Sequence, residues 1–236
     1  MSTVAWITAR GLFGRRRVLL LLPLPLLLVG LAVLCRAYDV NPEHWGEPVL
    51  VGLGLAVMLP VITLIVGTGV LGSEVDDGTI VHILTKPLPR RDIVLAKLGV
   101  AFVVSAVTSA IPLFVAGALA DSARLGFGLA VAGVVGAFAY SAFFVMLSLL
   151  TRRPVLLGLV YILVWEGLLG GFVSGTRQLS IQQYVITIAD KIAPTGILNA
   201  SVSLTVAVVM AVIFVVGFTL VAVDRLRSFS MAGETS

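Results

Sequence analysis

The 236 residues are 59% hydrophobic and only 12% charged, with a mean hydropathy of +1.12, where soluble domains carry roughly 25% charge. That balance excludes a soluble domain and describes a chain whose solvent is a bilayer. The net charge of +4 follows from where the basic residues fall around the spans and from the acidic lipid surface they meet, so it is no sign of a nucleic-acid partner.

In chain order, residues 3–15 (Thr3 to Arg15) put Trp6, Ala9 and Phe13 along one side of a helix, with Arg10 and Arg15 to Arg17 placed for anionic headgroups. An interfacial helix is expected there, with a plain anchor as the alternative. Six apolar runs follow: Val18–Leu34, Val49–Gly72, Leu98–Ala120, Leu125–Leu150, Val155–Val173 and Val202–Val223. Each is about the 17–25 residues that cross a bilayer as a helix. Helices are required because unpaired backbone groups cost several kcal/mol each in lipid, and the ten-residue alternation of a barrel is missing.

The expected fold is therefore all-α and integral to the membrane, a single transmembrane domain over residues 1–236 with six helices. The first run also fits a signal peptide, but Leu34 before Cys35 and the lack of an A-x-A-like site favour a retained helix. Cys35 is the single cysteine, so no intrachain disulfide forms. With the amino terminus in the cytoplasm, twelve of the sixteen basic residues lie on that side, leaving Arg36, Arg124, Arg177 and Lys191 outside. Both termini are then cytoplasmic, and the cell membrane is the expected location.

Enzyme signatures fail on inspection. Gly67 to Glu74 reads G-T-G-V-L-G-S-E, which matches G-x-G-x-x-G in letters only: no strand precedes it, and Ser73 stands where a P-loop needs Lys. His44 and His82 fall on opposite sides of the membrane, so neither a zinc site nor a triad can be built from them. No catalytic residue, metal ligand or cofactor is expected in this chain.

Charge concentrates in one cytoplasmic segment, residues 73–92. Ser73 and Asp76 resemble a capping pair, Gly78 permits a break, and Thr79 can start a short helix that puts Ile80, Ile83 and Leu84 on one face. Glu74, Asp76 and Asp77 lie on its amino-terminal side, Pro87 and Pro89 end it, and Arg90, Arg91 and Lys97 mark the mouth of the third span. A solvated loop is one reading. An apolar face rimmed by charge is the other, and such patches mark contacts with another protein.

Glu74, Gly78-Thr79, Leu84, Pro87, Arg90 or Arg91 and Lys97 resemble the pattern E-x(3)-G-T-x(4)-L-x(2)-P-x(2)-R-x(5,6)-K of the permease subunits of ABC-2 type transporters. The resemblance implies that the stretch around Gly78 to Leu84 is a coupling helix docked on a separate ATP-binding subunit. ATP and Mg would then sit in that partner, and a second permease chain would complete the pathway, as a homo- or heterodimer. It further implies export, with so few charges inside the spans suiting a hydrophobic or amphipathic substrate such as a drug, lipid or peptide. The rival is a secondary transporter driven by an ion gradient.

Two later features bear on that choice. Glu166 is the one ionisable residue well inside a span, at a cost of roughly 2.5–3.5 kcal/mol. A polar network with Tyr161, a substrate path and proton coupling are all open to it. Past the fifth span, Ser180 and Gln183 form a capping box, and Ile181, Tyr184, Val185, Ile188 and Ile192 repeat at helical spacing opposite Gln182, Thr187, Asp190 and Lys191, until Pro194 and Gly196. This predicts an amphipathic helix over 180–193 at the outer surface. In the resembling family that region is an external gate, for which Ser180, Gln183 and Tyr184 are the candidates here; a passive lid is the alternative. Small residues at Gly126, Ala130, Gly133, Ala137 and Ser141, and at Gly167 and Gly171, offer close helix packing.

Overall fold

The computed structural model describes residues 21–76, 90–170 and 176–231, with no strand among them. The helices are α1 (Pro23–Ala37), α2 (Pro42–Gly46), α3 (Leu59–Asp76), α4 (Arg90–Ala120), α5 (Ala123–Leu150), α6 (Pro154–Val160), α7 (Ile181–Ile192) and α8 (Leu204–Met231). Two stretches wind more widely, with i→i+5 bonding: Glu47–Met58, which joins α2 to α3, and Tyr161–Leu169, which continues α6.

Among the described residues, four helices are long and apolar enough to cross a membrane: Pro42–Val70, Arg91–Ala120, Ala123–Leu150 and Leu204–Leu226. The first and fifth expected runs instead contain shorter apolar helices, Pro23–Ala37 and Pro154–Leu169. The expected interfacial helix at 3–15 lies outside the described residues. The second run extends past its expected end at Gly72, because α3 continues to Asp76. Ser73 thus sits within a helix and does not cap a new one.

α5 is the hub. Some 67% of its most apolar window is buried, against 17% for α8, which places one at the centre and the other at the rim. Its glycines let neighbours approach on several sides. A Cβ on Gly126 would stand 2.5 Å from the Phe114 carbonyl of α4, and one on Gly128 would stand 3.0 Å from the Ala189 carbonyl of α7. On Gly136 it would meet Leu59 of α3 and Val185 of α7 at 2.6 and 2.8 Å. The small-residue stripe of the fourth span therefore packs within this chain. Gly67, from the motif with nucleotide-binding letters, lies in α3 against Phe144, and a helix surrounds it where a nucleotide loop would need a strand.

α4 and α5 form an antiparallel hairpin around Asp121 and Ser122, with the Ser122 hydroxyl accepting from the Leu125 N–H at 3.3 Å. Pro112 stands inside α4. Along the same helix, hydroxyls bond back to carbonyls one turn earlier, Thr108 to Val104 at 2.7 Å and Ser109 to Ser105 at 2.7 Å.

Candidate functional site

Glu166 is 5% exposed, and both of its carboxylate oxygens are occupied. Oε1 accepts from the Tyr161 hydroxyl at 2.8 Å and the Ile181 N–H at 3.2 Å; Oε2 accepts from the Ser180 hydroxyl at 2.6 Å and the Gln182 N–H at 3.3 Å. The wide winding of Tyr161–Leu169 explains the first contact. Residues five apart stack in an i→i+5 helix, whereas in an α-helix they point well away from each other.

The other three donors belong to the start of α7. Ser180 is its N-cap, accepting from the Gln183 N–H at 3.3 Å while donating to Glu166. The capping box expected between Ser180 and Gln183 is thus completed from span five: Glu166 takes backbone N–H groups at the helix start. The Gln183 side chain turns away to accept from Ser201 at 3.0 Å. A carboxylate here answers both the orphan donors and the positive end of the helix dipole. Charge-assisted bonds of about 1.5–3 kcal/mol each offset the cost of burying it.

The opposite end of α7 is held by a cation. Arg124, at the head of α5, donates from Nε to the Ile192 carbonyl at 2.8 Å. α7 is therefore fastened at its start by an acid and at its end by a base, each from a different helix. Tyr184 is fully buried and donates to the Gln178 carbonyl; burial, reinforced by Glu166, pushes its phenol up to about 12. Trp165, next to Glu166, donates to the Leu179 carbonyl at 3.3 Å. Thr187 departs from the expected polar face: it is buried, its hydroxyl bonded back to Gln183 at 2.8 Å. Replacing Arg124 by Met removes the bond to the last turn and is expected to raise hydrogen exchange most at 190–192, leaving 181–184 protected.

At the end of the bundle where α4 begins, Lys97 is 1% exposed and donates from Nζ to the Val70 carbonyl of α3 at 2.9 Å. The sequence placed it at an aqueous mouth. Its spacing from the buried Ile93, Val94 and Ala101 put it on the inward face all along. Lys97 ties α3 to α4 beside the polar segment that connects them.

Of the expected coupling residues, Asp77, Gly78, Thr79, Ile80, Ile83, Leu84 and Pro87 lie outside the described residues. Glu74 and Asp76 fall in the last turns of α3, Arg90 opens α4, and Arg91 is exposed beside Asp92 at 3.6 Å, a surface pair of little energetic weight. Among the described residues no group of three or more His, Cys, Asp and Glu could hold a metal ion.

Among the described residues, the apolar helices close round one buried carboxylate, Glu166, and one buried lysine, Lys97, the build of a helical membrane protein. Residues 15–173 match the family described as ABC-2 family transporter protein. That match covers more than half of the chain, which belongs to this family. No curated protein matches the sequence.

Proposed function

We propose that this chain is the permease subunit of an ATP-binding cassette exporter, with six spans, both termini in the cytoplasm of a cell membrane, and a second permease chain beside it. ATP and Mg are held by a separate ATP-binding subunit that docks on residues 73–92. The observation that carries most weight is the family match over 15–173. The apolar lining of the spans suits a hydrophobic or amphipathic substrate.

Lys97 supports a path from the docking segment into the bundle. Movement imposed between α3 and α4 reaches both helices at once through the Nζ–Val70 bond. Lys97→Met keeps the volume and removes the donor, so it is expected to leave the complex assembled but lower transport-coupled ATP hydrolysis; Lys97→Arg should recover part of it. Equal coupling in all three proteins would contradict this role.

At the outer side, α7 acts as the gate, with Glu166 holding its start. A proton gradient acting through Glu166 is the rival drive. Reconstitution into sealed vesicles separates the two drives. ATP-dependent efflux that survives a protonophore supports the cassette reading, and uptake or efflux that runs without ATP and collapses with the protonophore replaces it by a proton-driven carrier using Glu166.

A further inference from the structure

A cavity of about 500 Å³ opens between α4, α5 and α8 beneath α7, within the roughly 300–1,000 Å³ range of ligand sites. Every side chain that lines it is apolar. On α8 the lining follows one helical face, Val208, Ala211, Val212, Val215 and Val216, at i, i+3, i+4, i+7 and i+8. Opposite stand Val134, Val135 and Phe138 of α5 and Phe102 of α4, with the Phe102 and Phe138 rings packed at 4.9 Å, and Ile188 of α7 contributes from above.

The walls resist collapse. Six of the lining residues are valines, whose branched Cβ holds one χ1 rotamer in a helix, and the small side chain of Ala211 leaves room between them. Water gains nothing there, since a buried water needs two to four polar partners. The mouth, at Val134, Phe138, Val208 and Val212, is exposed on the outside of the bundle among other exposed apolar residues of the spans. Hydrocarbon is the solvent at that depth.

We propose that this cavity binds one acyl chain of a bilayer phospholipid as a discrete site, separate from the lipid that coats the remaining apolar faces. The site does not depend on how transport is driven.

The test uses the full-length protein in bilayer discs of phosphatidylcholine containing a fraction of the same lipid with a diazirine at mid-chain. After irradiation, labels are mapped by mass spectrometry. Labelling should concentrate on 134–138 and 208–216. Ala211→Trp, which fills that room, should abolish it there while leaving Leu156 and Leu163, exposed on span five, labelled as before. Val212→Phe narrows the mouth at an already exposed position and decides the matter if Ala211→Trp fails to fold. Labels spread evenly over all exposed apolar faces, or labelling at 134–138 and 208–216 that either folded variant leaves unchanged, would overturn the site.

Discussion

Glu166→Gln is expected to free the start of α7 while the bundle still assembles. The amide keeps the size of the carboxyl but replaces one acceptor oxygen by a donor group. Tyr161 and Ser180 hydroxyls can rotate to accept from it; a backbone N–H cannot. Whichever way the amide turns, it faces the N–H of either Ile181 or Gln182, one on each oxygen of the native carboxylate. Leaving one buried donor unpaired costs about 1–3 kcal/mol, and losing the charge at the helix start adds about 0.3–2 kcal/mol. With tenfold for each 1.4 kcal/mol, hydrogen exchange over 181–184 should accelerate roughly tenfold or more, with α5 unaffected. Transport-coupled ATP hydrolysis should fall in the assembled complex. Wild-type exchange and wild-type coupling together would remove the gate from the account.

Gly126→Ala is expected to cost more than any other single methyl group in the bundle. The new Cβ would lie 2.5 Å from the Phe114 carbonyl and 3.1 Å from the Ala118 nitrogen, both main-chain atoms of α4. A side chain could swing aside; a helix backbone must move as a unit. Across the contact, a Cβ on Gly117 would stand 2.8 Å from the Gly126 Cα, so neither helix can yield toward the other. Overpacking of this kind costs about 1–3 kcal/mol, and Gly126→Val should exceed that. The measurement is thermal unfolding in detergent, with Gly99→Ala as control, since a Cβ there meets nothing within 4 Å. An unchanged midpoint for Gly126→Ala would mean that α4 and α5 do not cross at these glycines.

Much of this architecture is written in the sequence. Four of the six apolar runs hold a helix long and apolar enough to cross a membrane, and Ser180 is the N-cap of α7. Glu166 and Tyr161 stand out by their chemistry among aliphatic neighbours. Their contact does not, because it depends on i→i+5 winding in Tyr161–Leu169, which no residue pattern announces. The bonds from Ile181 and Gln182 to Glu166, and from Arg124 to Ile192, use main-chain atoms. Such partners carry no signature in residue type. Lys97 was legible in principle: the positive-inside pattern assigns such a residue to the aqueous rim, but its spacing from Ile93, Val94 and Ala101 points inward. Residue type outweighed periodicity there, and burial followed periodicity.

On the proposed function, a separate ATPase drives this permease through residues 73–92. Purifying the intact chain from its native membrane in mild detergent tests it most directly, with wild type compared against charge reversal at Glu74 and Asp77. An ATP-hydrolysing subunit is expected to accompany the wild type and to be lost from the reversed protein, while both keep the same unfolding midpoint. A wild-type protein that is never accompanied by an ATPase, or an ATPase retained equally by both, would contradict it.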